Sequence, residues 1–277
     1  MTVKTVNNTN DLYFDVQHVA VDTLGLTGIS GRDHAVIVRP KQENKIVSLC
    51  SENYELVRNE EIFPVIEENF AHMDYKVNVK NYNDAQFSVD YIFALQGLDF
   101  IKGDNLQFRL STGHSYDSRR KFDVNAGLWR EICGNGLAVP VQLDAAQQFK
   151  LEMSGQHTHD NVKKMLDTFS TWLPSVLNEF PAAMKQAFKP LYDTKIQDYA
   201  TRILEVVSAT NVFSTKLVDS AVAVAQMEQM AGNLESTQWL AYNAINNLLF
   251  DDEVNKKNDW DRKRKDQEVL EYMLATV

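Results

Sequence analysis

The pattern of apolar residues predicts an α+β fold: an antiparallel β-sheet body in the N-terminal half, with an all-helical C-terminal half packed on it. Two observations carry this expectation. Between residues 34 and 115 apolar and polar side chains repeatedly alternate with a period of two, as half-buried strands require. From about residue 157 the period lengthens to that of a helix with one apolar stripe. The change predicts a β-rich mixed domain over 1–150 and a helical domain or extension over 151–277.

In chain order, "HAVIVRP" (34–40), "KIVSLC" (45–50) and "YKVNVKNY" (75–82) read as strands because they are β-branched or alternating. Asn59 and the acidic residues after it cap a helix over "EEIFPVIEENF", where Pro64 is tolerable only near the start. "QFSVDYIFAL" (86–95) sets Phe87, Val89, Tyr91 and Phe93 on one face. "LQFRLSTGHS" (106–115) sets Leu106, Phe108 and Leu110 against Gln107, Arg109 and Ser111. "GLDFIKGDN" between them supplies a hairpin turn. "GLWREIC" reads as a further strand with Arg130 facing opposite to Trp129.

Beyond it, "NVKKMLDTFSTWLPSVLNEF" places Val162, Met165, Leu166, Phe169 and Leu173 at helical spacing, and Pro174 and Pro181 break the remainder into segments. "TKLVDSAVAVAQMEQMAG" ends on a glycine stop at Gly232. Ser236 caps "STQWLAYNAINNLLF", which buries Trp239, Tyr242, Ile245 and Leu249 as a packing stripe. The tail is a solvated final helix in which "RKRK" (262–265) is a weak second phosphate contact.

The 277 residues carry a net charge of −10, 44% hydrophobic residues and two cysteines without metal spacing. No run of about 18 apolar residues is present and the N-terminus is polar, which predicts a cytoplasmic protein without a membrane span. Overall acidity argues against nonspecific coating of nucleic acid. One stretch runs against it: residues 101–140 are net basic, while 1–100, 141–250 and 251–277 are each net acidic.

Within that stretch, "STGHSYDSRRKFDVNAGLWREICGNGLAV" (111–139) has Arg119, Arg120 and Lys121 at a loop tip, where Asp117 and Ser118 favour local turns. Neighbouring strands present Arg109 and Arg130. Arginine forks bind phosphate in bidentate fashion and stack on bases, and Tyr116, Phe122 and Trp129 add aromatic surface. The expected cradle for single-stranded nucleic acid therefore comprises Arg109, His114, Tyr116, Arg119, Arg120, Lys121, Arg130 and Asn135. The bland reading is a solvated cationic tip above a core tryptophan.

Catalytic readings are weaker. Cys133, His114 and either Asn135 or Asp117 supply the residue types of a thiol nucleophile, base and orienter, yet a cysteine in "REIC" fits a small buried hydrophobe. "HTHD" (157–160) invites a metal, but no further histidine clusters with it, and Thr158 or Asp160 fits a helix cap. "GLTGISG" (25–31) lacks the Lys-Ser/Thr ending of a nucleotide loop. The chain is expected to be no enzyme and to hold neither cofactor nor metal.

"LSTGHSYDSRRKF…GLWREICGNGL" resembles the central signature of a phage- and plasmid-borne family catalogued as domain of unknown function 932. The matching positions are His114, Ser115, Tyr116, Asp117 and Ser118, then Arg130, Cys133, Asn135, Gly136 and Leu137. "SENYELVRNEEIF" and "TQWLAYNAINNLL" resemble the family's early and late segments, so the resemblance covers roughly 45–250. Arg119–Lys121 is not part of it. The resemblance implies a gene on mobile elements near replication and recombination functions. By analogy it implies a remote likeness to phage single-strand annealing proteins. The expected function is thus a nucleic-acid-associated protein, with homo-oligomer formation compatible with that role. The alternative is an acidic anti-defence or regulatory protein that binds a host protein, and a Cys/His hydrolase stands behind both.

Overall fold

The structure, a computed structural model, describes residues 3–6, 8–24, 34–100, 104–130, 136–138, 149–154, 156–251 and 259–277. The chain divides into two compact units. The first comprises Met1–Phe93, Leu110–Asn125 and Lys150–Val176; the second comprises Ala94–Arg109, Ala126–Phe149 and Leu177–Val277. The fold is α+β, with its described strands before residue 153 and a run of helices after 158.

The strands are β1 (Val3–Val6), β2 (Gln17–Ala20), β3 (His34–Arg39), β4 (Lys45–Ser51), β5 (Tyr75–Tyr82), β6 (Gln86–Phe93), β7 (Leu106–Ser115), β8 (Asp123–Arg130), β9 (Gly136–Ala138) and β10 (Lys150–Glu152). The main sheet has the order β1-β5-β6-β7-β8-β10, with β9 paired to β8, and a smaller antiparallel sheet has the order β2-β3-β4. Helix α1 (Asn59–Glu68) turns Ile62, Phe63 and Ile66 inward, and Phe70 just past its end stacks among Tyr75, Tyr91 and Phe93. These rings and Phe87, Val89 and Val79 close one face of the sheet.

Pro64 lies inside α1 rather than at its first turn, and the cap position is Arg58, whose N–H donates to Glu61 Oε1 at 2.8 Å. Asn59 instead is buried, its Nδ2 donating to the Leu12 carbonyl.

The later helices are α2 (His159–Asp193), α3 (Tyr199–Thr210), α4 (Val218–Gly232), α5 (Gln238–Phe250) and α6 (Asp259–Ala275). α2 runs 35 residues through Pro174, Pro181 and Pro190, so the expected breaks do not occur. Each proline removes one backbone donor, but apolar side chains at helical spacing on either side (Phe169 and Leu173, then Phe180, Met184 and Phe188) are all buried. Burial of that stripe outweighs the missing hydrogen bonds. In the second unit the Pro181 ring lies against Gly97, whose φ of +91° no side chain would tolerate readily. Helix α4 stops on Asn233 in the left-handed region, one residue past Gly232, and α5 is capped at Thr237 rather than Ser236. Among the described residues no helix is long and apolar enough to cross a membrane.

Candidate nucleic-acid interface

The loop between β7 and β8 is cinched by its own side chains. Ser118 adopts a φ of +57°, Asp117 Oδ1 accepts from the Arg119 N–H at 3.1 Å, and Ser115 Oγ accepts from the Arg120 N–H at 3.1 Å. Ser115 Oγ also donates to the Arg120 carbonyl. This fixes where the three cations go. Arg119 extends into water with 79% of its side chain exposed, 3.7 Å from Asp117. Arg120 folds back over β7, its Nε 3.1 Å from Asp123 Oδ1 and its Nη1 donating to the Phe87 carbonyl. Its guanidinium lies flat on Gly113, where an added Cβ would come within 1.7 Å of the Arg120 Cζ. Lys121 meets Glu152 at 3.5 Å. Each member of the cationic tip therefore faces a carboxylate.

The tip nevertheless borders a polar sheet face. On β5, Val77 and Val79 turn toward the core side while Lys76, Asn78 and Lys80 take the other, opposite Ile92, Asp90 and Ser88 of β6. His114 stacks on Phe87 on the core side, so Gly113 and the overlying Arg120 belong to the polar side. Asn125 of β8 and Lys150 of β10 are register partners, and Lys150 Nζ sits 2.7 Å from Glu152. Because β1 pairs only with Val79–Tyr82, the edge of β5 beside Lys76 is left to a recess of about 540 Å³ lined by Thr9, Glu67, Tyr75, Lys76 and Asn78 among others.

His114 and Tyr116 do not belong to this face. His114 is fully buried, with Nε2 3.2 Å from the Val57 carbonyl and Nδ1 3.1 Å from His157 Nε2. Burial, then the neighbouring His157, pushes its pKa down to about 3, so the ring is neutral. Tyr116 is buried among Phe14, Phe87 and His114, and its hydroxyl accepts from the Asn59 N–H at 3.1 Å. It anchors the first turn of α1 and offers no ring to a base. Phe122 is buried too. His157 stacks on Tyr54, while His159 points to Glu55 and Glu61. Thr158 Oγ1 accepts from the Asn161 N–H and caps α2. Among the described residues no group of three or more His, Cys, Asp or Glu is placed to hold a metal ion. Cys133, Asn135 and the 25–31 segment lie outside the described residues.

Arg130 is a correction. In the second unit it is fully buried, its Nε 2.9 Å from both Asp104 oxygens and its Nη1 2.6 Å from Glu228 Oε2. Trp239 Nε1 donates to Asp104 Oδ2 at 2.7 Å and presents its ring to the guanidinium. A guanidinium with no exposed surface, held by two buried carboxylates, is out of reach of a phosphate. Asp104, expected in a hairpin turn, is thus a core residue.

Arg109 is half-buried, and its charge bears on Asp266 of the same unit. Asp266 is buried, accepting from the Tyr242 hydroxyl at 2.9 Å and from Asn246 Nδ2 at 2.8 Å. Burial raises its pKa to about 6 against these opposing contacts. In the "RKRK" run Arg262 is buried, Lys265 donates to the Thr210 carbonyl, and Arg264 pairs with Glu268 along α6.

Asp104, Glu228, Asn243, Asn246 and Asp266 escape sequence reasoning. The signals are present: Glu228 is the one charge in the apolar run from Ser220 to Leu234, and Asn243 and Asn246 fall within the stripe of Trp239 and Tyr242. The resemblance's late Tyr-Asn-Ala segment is therefore where α5 meets the buried polar network. No curated protein and no solved structure matches the chain. A family model described as "Domain of unknown function (DUF932)" matches residues 47–270, spanning the β7–β8 tip and both buried networks. The chain belongs to that family.

Proposed function

We propose that this chain binds single-stranded nucleic acid across the polar face that the first unit's part of the main sheet presents, in the cytoplasm of a host that carries the mobile element. A recombination, annealing or replication accessory role is the setting its family resemblance implies. The observation that carries the reading is the spread of Lys76, Lys80, Arg120 and Lys150 over one sheet face of a chain with net charge −10. The partners these side chains hold, carboxylates in the case of Arg120 and Lys150, do not block it. Solvent-accessible ion pairs are worth about 0–1 kcal/mol, so a phosphate can take a carboxylate's place. The recess beside Lys76, with Tyr75 in its wall and Glu67 as an acceptor, has the size and polarity for a base. The cradle is thus moved from the loop tip to the sheet, and Arg130, His114 and Tyr116 drop out of it.

The test is anisotropy of a labelled oligothymidylate over a salt series. Single-strand binding loses about 0.7 of log–log salt slope per phosphate contact removed. Lys76→Ala/Lys80→Ala is therefore expected to flatten the slope by about 1.4 and to weaken binding about tenfold at low salt. Arg119→Ala, at the exposed tip, is expected to leave both unchanged. An unaltered slope in the lysine variant removes the face from the site.

A further inference from the structure

The recess beside β5 holds a carboxylate whose two oxygens stand in different states. Glu67 Oε1 accepts from the Thr9 hydroxyl at 2.7 Å and from the Tyr91 hydroxyl at 3.1 Å, which uses both of its lone pairs. Oε2 has no donor among the described residues and is left to the recess that Glu67 lines. The two hydroxyls also hold the carboxylate in place, because Tyr91 is buried and packs edge-on against Phe70 and Tyr75. One pre-set acceptor thus faces a cavity of about 540 Å³.

We propose, resting on the single-strand reading of this face, that the recess takes a cytosine base, with Glu67 Oε2 accepting from its exocyclic amino group. Charge assigns the parts of a nucleotide to their places. Glu67 repels a phosphate from the recess, while Lys76 in its wall and Lys80 further along β5 attract one to the polar face. The backbone therefore follows the lysines, and a base turns in over the stretch of β5 that β1 leaves unpaired. Tyr75 gives that base an aromatic wall.

Hydrogen-bond valence then separates the bases. A carboxylate oxygen only accepts. Uracil and thymine carry a carbonyl on each side of their one ring N–H, so acceptor faces acceptor. Guanine sets two N–H groups side by side and needs both oxygens of a carboxylate, but Oε1 is already filled. Adenine flanks its amine with a ring lone pair on each side. Cytosine has one such lone pair and a C–H on the other side, which leaves its amine open to Oε2. Asn78 also lines the recess, and its amide has no partner among the described residues. An amide presents either a donor or an acceptor, so it can serve the ring nitrogen of cytosine without choosing between bases. The choice falls to Glu67.

Anisotropy of labelled oligodeoxycytidylate and oligodeoxyuridylate of equal length with the full chain tests this, since the two bases differ only along the edge that meets Glu67. The wild type is expected to bind the cytosine strand about tenfold tighter at neutral pH, as one hydrogen bond to a charged acceptor supplies. Glu67→Gln keeps an oxygen for Thr9 and Tyr91 but sets an amide donor where Oε2 was. The ratio should then fall to one or below, because that donor suits the exocyclic oxygen of uracil. Lys80→Ala, at a phosphate contact, should weaken both strands alike and keep the ratio. Equal wild-type affinity for the two strands overturns the proposal and leaves strand binding by the face intact. A cytosine preference that survives Glu67→Gln overturns it as well, as does tighter binding of oligodeoxyadenylate. Failure to bind any of these strands overturns the single-strand reading, and the base preference with it. An unchanged circular-dichroism spectrum verifies that Glu67→Gln is folded, and the wild-type ratio decides without that variant.

Discussion

Arg120 in the first unit and Arg130 in the second place one side chain in two solvents. Arg120 is 28% exposed and meets a single carboxylate, Asp123, that also reaches water. Arg130 has no exposed surface and is held by Asp104 and Glu228, themselves buried. Water around the first pair weakens it and makes it exchangeable. Its absence around the second makes each partner depend on the other, because a lone charge there has no solvent to turn to. Proximity of a cation to a carboxylate thus says little about role until burial is known.

The largest expected effect comes from that contrast. Arg130→Ala leaves Asp104 and Glu228 buried without their cation and should destabilise the protein by about 3–5 kcal/mol in urea unfolding. Arg120→Ala should cost no more than about 1 kcal/mol. Equal costs would show that water reaches the second cluster and would break the comparison.

Sequence patterning explains why the two arginines look alike in one dimension. Alternation and β-branched runs locate β3 to β7 closely, although β3 and the second half of β7 are buried on both faces. They miss β1 and β2, four residues each, too short to show a period. In β8, Val124, Ala126, Leu128 and Arg130 share a parity, and all four are buried, while Trp129 on the other parity is half-exposed. The pattern itself puts Arg130 on the apolar face; the expectation that charge points to water overrides it. What no local pattern contains is the pairing. Asp104, Glu228 and Trp239 reach Arg130 from 26, 98 and 109 residues away, across separations that only the fold closes. The prolines of α2 mislead for the converse reason: a local rule yields to long-range burial.

Acid sharpens the contrast, since the two units respond with opposite sign. Asp266 in the second unit has a folded pKa raised to about 6 from an ordinary 3.8. Its contribution is full below pH 3.8 and is lost as pH rises through about 6, a cost of about 3 kcal/mol at neutrality. His114 in the first unit is lowered to about 3 from 6.5. Its contribution is full above pH 6.5 and falls away on acidification, by about 2 kcal/mol at pH 5. Amide exchange followed by fragment should show β7 near His114 losing protection between pH 6.5 and 5 while α5 and α6 gain it. Asp266→Asn should flatten the second response and leave the first. A common sign in both units would mean that one of these groups is solvated.

The smallest effect lies at Gly113, and it tests what the Arg120 guanidinium rests on. A methyl group there would collide with the guanidinium carbon, yet that carbon ends a flexible side chain and can move away. Gly113→Ala should therefore release Arg120 from Asp123 and the Phe87 carbonyl without bending β7. Its cost should match that of Arg120→Ala, about 1 kcal/mol or less, reduced by the narrower unfolded ensemble of alanine. The two changes share one mechanism, so they should not add. In an Arg120→Ala background, Gly113→Ala should be neutral or slightly stabilising, and a double-mutant cycle in urea measures this directly. Additive costs, or a loss above about 3 kcal/mol for Gly113→Ala alone, would place the steric demand on the backbone of β7. In that outcome Arg120 would sit over Gly113 without needing it, and the polar face would lose the feature that lets an arginine lie flat against the sheet, where a phosphate can reach it.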